Sequence, residues 1–331
     1  MKIRKEAVIL GIVIVALSLY LIFNKDDRSL YDLPQLEAVS ASEISKITLT
    51  SVENDILFTQ KAGKWVINEA AWPGDEANIK KVADIAANLN LTTLISESKN
   101  FERYDLDPDH KITLKAWKGD TLVREFDVGK GASGHRHTFV KLADDHRVYH
   151  AKDNFRSRVQ GDADRFRNKT VLSFETDTIE QVQITKVDEK GSHQGTFTKE
   201  AASQKDEKAS DNDAAAETLA DVKPIWKNAD GEVVKESELT KLIDDMSGLK
   251  CKSYVYDRKK EDFKDTIASI TFRGPQEYTL KIYDREKGAS EYPAVSSQND
   301  DAFFIPKWQA DQVIKALTDI VPAEAEKEDA T

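Results

Sequence analysis

The chain has 331 residues, 32% of them charged, with a formal net charge of −11, which excludes nucleic acid as its main partner. Cys251 is its sole cysteine, so an intramolecular disulfide and any cysteine-built zinc or iron–sulfur centre are excluded. The polar length beyond the first hydrophobic run is enough for two domains of ordinary size.

That run, residues 7–23 (AVILGIVIVALSLYLIF), predicts a transmembrane anchor, with Ala7, Gly11, Leu17 and Phe23 spaced along it. About 17 residues of helix reach roughly 25 Å, enough to span a bilayer core with some thinning. Lys2, Arg4 and Lys5 precede it, so the positive-inside rule keeps that end in the cytoplasm. The expectation is a single-pass inner-membrane protein with its bulk in the periplasm and the lipid bilayer as its first partner. No small-x-small cleavage site precedes Asn24, so an uncleaved anchor is preferred over a signal peptide. Residues 24–42 read as a polar stalk.

Strand signals then begin. Residues 44–49, 56–59 and 64–67 alternate apolar with polar side chains, and Ala62-Gly63 supplies a tight turn. Trp72-Pro73-Gly74 breaks this meander. Asp75 is an N-cap for a helix over 76–91, whose Ile79, Val82, Ala83, Ile85, Ala86 and Leu89 share one face. A turn-rich connector at 101–108 leads to strands at 111–117, 121–128, 137–142 and 147–150. A short helix over 154–159 and a closing segment 166–174 complete the unit.

The pattern restarts at 179–185. Ser237 is placed to cap a second helix carrying Leu239, Leu242, Ile243, Met246 and Leu249, and strands at 267–272 and 278–283 follow. Asp127 precedes Lys130-Gly131-Ala132-Ser133, and Asp284 precedes Lys287-Gly288-Ala289-Ser290 at the same offset. The expected fold class is α+β: an N-terminal transmembrane helix, then two tandem, duplicated antiparallel-sheet-plus-helix domains, 43–175 and 176–321. Residues 198–222, rich in Ala, Asp, Glu, Lys and Ser, form an insertion that cannot bury a core, and 322–331 is an acidic tail.

Three stretches invite a chemical reading. Residues 129–134 spell G-x-G-x-x-G, but a dinucleotide site needs that motif between a strand and a helix, and here strands lie on both sides. His135 and His137, with His146 and His150, gather four of the six histidines. Two at i and i+2 on a strand share a face, which makes His135 and His137 weak metal candidates, with no acidic ligand at useful spacing. The same region is locally basic. Arg136, Lys141, Arg147, Arg156, Arg158, Arg165 and Arg167 form a candidate interaction patch for an acidic surface. No catalytic constellation and no cofactor motif stands out, so no enzyme activity and no cofactor are expected.

Lys64-Trp65-Val66-Ile67, Tyr104-Asp105-Leu106, Phe126-Asp127-Val128-Gly129, Phe139-Val140-Lys141-Leu142, Val148-Tyr149 and the segment 166–174 together resemble an uncharacterised bacterial family. It is classed as a domain of unknown function, and its members are membrane-anchored and often encoded beside ABC-type export or gliding-motility transporter components. The resemblance covers mainly 44–185 and implies no catalytic residue. It implies transporter subunits as partners and an accessory or adaptor role. The alternatives are a glycan or envelope-polymer binding module and an envelope hydrolase, which would need a cleft with converging carboxylates.

Overall fold

A computed structural model describes residues 12–20, 31–200 and 225–320. The chain divides into two compact units, one ending at Phe166 and the other beginning at Arg167.

The expected anchor is overturned. Among the described residues no helix is long and apolar enough to cross a membrane. The described part of the apolar run is helix α1, residues 12–20, which holds Leu17. Ala7, Gly11 and Phe23 lie outside the described residues. The single-pass inner-membrane placement rested on that helix and falls with it.

The fold class also needs correction. The described residues are mostly antiparallel sheet, arranged as three sheets with few helices. In the first unit, β1 (Lys46–Thr50), β2 (Asp55–Lys61), β3 (Lys64–Ile67) and β4 (Trp72–Pro73) precede α2 (Glu76–Ala87). Then come β5 (Leu91–Ser96), β6 (Ile112–Lys118), β7 (Thr121–Gly131), β8 (His137–Leu142) and β9 (Val148–Lys152). Single turns α3 (Arg156–Val159) and α4 (Ala163–Phe166) close the unit. The second unit holds β10 (Thr170–Ser173), β11 (Gln181–Asp188), β12 (Gly191–Glu200), β13 (Ile225–Asn228), α5 (Glu236–Met246), β14 (Gly248–Lys250) and β15 (Ser253–Tyr254). It ends with β16 (Thr266–Arg273), β17 (Glu277–Tyr283), β18 (Glu291–Ser296), β19 (Phe303–Pro306) and α6 (Lys307–Ile320).

The nine-stranded sheet runs β4-β3-β2-β1-β6-β7-β8-β9-β5, and the eight-stranded sheet runs β13-β12-β11-β16-β17-β18-β19-β15. Once β4 is set aside, the two orders are the same. The Lys-Gly-Ala-Ser identity does not follow this correspondence. Val128 pairs with Val140, and Ile282 holds the matching place opposite Ala294. Lys130 lies two residues beyond Val128, whereas Lys287 lies five beyond Ile282. The segment 166–174 also behaves differently from its reading as a closing strand of the first unit. Its β10 pairs with β14 of the second unit as a separate two-stranded sheet.

Period-2 alternation builds one face of each sheet. Ile47, Leu49, Ile56, Phe58, Leu114 and Phe126 are buried on the first, under α2. Asp75 caps α2 as expected, its Oδ1 accepting from Ala77 N and Asn78 N at 3.0 Å each. The β2–β3 hairpin turns on Ala62 and Gly63, both at positive φ, the geometry that matches strand twist. Ser237, read as a cap, lies inside α5, whose N-cap is Lys235. Residues 198–200 of the expected insertion belong to β12, and 201–222 and the tail 322–331 lie outside the described residues.

The described part of the expected stalk lies on the first unit. Leu33, Leu36, Val39 and Ala41 pack against its core. Arg124, 7% exposed, joins three elements: its Nε donates to Ala86 O at the end of α2, and its Nη2 to Glu37 O at 2.6 Å.

The second faces of the two sheets differ. In the first unit the connector carries Tyr104 and Leu106 onto Val148, close over β7. A Cβ at Gly129 would lie 2.2 Å from Tyr104 O, so only glycine admits this approach. Beside it Asp127 opposes Lys141, an ionic pair. The matching pair in the second unit is Lys281 opposite Val295: Lys281 is exposed, and Val295 sits in an apolar patch with Val255, Tyr283 and Ala302.

Candidate functional site

The seven cations of the candidate patch do not share one role. Lys141 Nζ lies 2.9 Å from Asp127 Oδ2. Arg147 is forked onto Asp145, with Nη2 at 2.8 Å and Nε at 3.0 Å, and stacks near the Tyr149 ring. The Arg147 bonds come first in holding the Asp145 carboxyl well below the usual carboxylate range, against burial, and the Tyr149 hydroxyl adds a bond at 2.7 Å. Arg167 belongs to the second unit, where it is buried over the Tyr254 ring and paired with Asp301. Arg165 donates to Gln160 O from an exposed position, and Arg136 and Arg158 are exposed.

The histidines separate as well. His135 sits in the β7–β8 turn at positive φ, while His137 leaves it on β8 and stacks on His150 at 5.0 Å. Burial first, and His137 second, push the His150 imidazole below its ordinary value. Among the described residues no three His, Cys, Asp or Glu side chains gather as a metal site. The glycines of G-x-G-x-x-G divide too. Gly129 meets the connector backbone, Gly131 faces the Asn154 side chain, and Gly134 is open.

What the sequence did not single out is a cleft of about 410 Å³ at one end of the first sheet. It is walled by the β1–β2 turn, the entry to β6 and the chain after α3. Leu49, Ile56, Ile112 and Val159, all buried core side chains, give it an aliphatic floor. Three basic side chains reach it. Lys111 Nζ lies 3.2 Å from both oxygens of Asp127. His110 Nδ1 lies 2.7 Å from Asp107 Oδ2; that bond raises the imidazole and lowers the carboxyl from their ordinary values. Arg156 is different: its Nη1 donates to Val128 O at 3.1 Å and its Nη2 to His110 O at 2.6 Å. Among the described residues it has no carboxylate within ion-pair distance. Burial pushes the guanidinium down and Asp105 opposes this, but arginine stays charged. Glu53, Asp109 and Asp162 stand exposed around the same opening. The walls come from three distant stretches, and only the charge of Arg156 was visible beforehand.

The sequence model of a family described as a domain of unknown function, DUF4340, matches residues 65–268, more than half of the chain. The chain belongs to the DUF4340 family. The match begins in β3 and ends in β16, so it takes in parts of both units. Asp109, Arg156 and Asp162 lie within the DUF4340 match, whereas Leu49, Glu53 and Ile56 precede it. No curated protein and no solved structure matches the chain.

Proposed function

We propose that this DUF4340 protein is a non-enzymatic accessory protein that works by contact, as an adaptor to transporter subunits. The partner class follows from the family resemblance, whose members are often encoded beside ABC-type transporter components. The observation that carries a contact role is the far end of the β11–β12 ribbon. β16 accompanies β11 only as far as Lys186, and β13 joins β12 only at Phe197–Glu200. Among the described residues no strand pairs with 191–196 on the side away from β11. That edge offers backbone donors and acceptors to a partner strand, the mode of recognition by strand addition. The exposed Arg136, Arg158 and Arg165 remain as cations for an acidic partner surface.

Crosslinking of the full chain in its host cell, followed by mass spectrometry, tests this. Recovery of transporter subunits is expected, reduced when 187–195 are replaced by a two-residue turn. Recovery of the chain alone overturns the reading.

A further inference from the structure

The cleft at the end of the first sheet has a charge pattern that its own residues leave uncompensated. Of its three basic side chains, Lys111 has Asp127 and His110 has Asp107, while Arg156 has two backbone carbonyls and, among the described residues, no carboxylate. A guanidinium carries five N–H donors, so two are spent on fixing the group and three are left to a ligand. The carbonyl bonds hold the plane of the group in advance, which lowers the cost of binding a planar oxyanion. Glu53, Asp109 and Asp162 have no ion-pair partner among the described residues; the one bond to them is from Arg165 N to Asp162 Oδ1. A dianion would be repelled by three carboxylates, and a plain cation would leave Arg156 without an anion. A molecule with one carboxylate and one ammonium suits both. The floor of Leu49, Ile56, Ile112 and Val159 adds a third requirement, an apolar group of a few carbons.

We propose that this cleft binds a small free amino acid with an aliphatic side chain. Arg156 takes the carboxylate, Glu53, Asp109 and Asp162 surround the ammonium, and the aliphatic floor takes the side chain. The volume of about 410 Å³ admits such a molecule with room for water. This ligand site is independent of the partner contact proposed above, and either can fail without the other.

Isothermal titration calorimetry on the full chain tests it with three probes: leucine, 4-methylpentanoate, which lacks the ammonium, and 3-methylbutylamine, which lacks the carboxylate. Leucine is expected to bind saturably, and each analogue about tenfold more weakly or worse, because each leaves one set of polar groups unanswered. R156Q is expected to abolish leucine binding. Because Arg156 also ties two carbonyls, circular dichroism checks that R156Q is folded. If it is not, the triple variant E53Q/D109N/D162N decides, since all three side chains are exposed. It should bring leucine to within about threefold of 4-methylpentanoate. Absence of saturable leucine binding, equal binding of the analogues, or unchanged discrimination in the triple variant overturns the proposal.

Discussion

Gly129→Ala tests a close approach of two backbone segments in the first unit. The added methyl would stand 2.2 Å from Tyr104 O, 2.9 Å from Leu106 Cγ and 3.2 Å from Leu106 Cδ2. The φ of Gly129 is not positive, so the effect is steric and not conformational. A side chain could rotate away; a carbonyl oxygen cannot, and the whole connector must shift by about an ångström. Overpacking of this kind costs about 1–3 kcal/mol, and a rigid obstacle places it near the top. Detachment of the connector would expose Leu106 and most of Tyr104, at about 1.5–3 kcal/mol for each side chain, so it offers no cheaper escape. We expect a loss of about 3 kcal/mol. Urea unfolding followed by tryptophan fluorescence would show the first transition lowered by about 1–2 M. Gly134→Ala is the control, because nothing lies within 4 Å of its added methyl. Equal midpoints for the two variants would refute the assigned contact.

Four further outcomes are expected. Asp127→Asn should cost about 2–3 kcal/mol at neutral pH, because it leaves Lys111 and Lys141 without their carboxylate. The Asp127 carboxyl is pushed up by burial, but the bonds from Lys141 and Thr113 and the charges of Lys141 and Lys111 outweigh this and hold it below its ordinary value. Its stabilisation is therefore complete above about pH 4 and is lost as pH falls through the lowered value. Acid titration of stability should show a flatter slope in the Asn variant. Arg124→Met should expose 31–42 to protease in limited proteolysis, since the bond to Glu37 O is removed. Cys251 is 6% exposed, and a thiol reagent should modify it only in denaturant.

The sequence displayed what is local. The cap and spacing of α2 lie within one stretch, and so does the Ala62-Gly63 turn. Strand alternation marked β1 to β3 and β6 to β9 for the same reason. Contacts between distant residues were silent. Gly129 looked like part of a loop motif because its neighbour, Tyr104, belongs to another segment. The basic stretch looked like one surface because its acids, Asp127 and Asp301, come from other strands and from the other unit. The apolar run suggested a span by its length, but among the described residues no helix is long and apolar enough to cross a membrane. The shared Lys-Gly-Ala-Ser was persuasive and out of register, because an identity in a loop carries no pairing information.

The unlike second faces of the two sheets bear on how the chain avoids misassembly. Adjacent units with one strand order are prone to exchanging hairpins during folding. Here the β7–β8 and β17–β18 hairpins span equal lengths between paired core residues, so loop length alone does not prevent an exchange. It would be penalised elsewhere. Lys281 would arrive beside Lys111 in the place of Asp127, and Val295 would displace the lysine that completes the ionic pair. In the reverse exchange, Lys141 would take the buried place of Val295 in the apolar patch of Val255, Tyr283 and Ala302. Either exchange would thus put a positive charge where the receiving unit does not hold one, which tells two copies of one strand order apart.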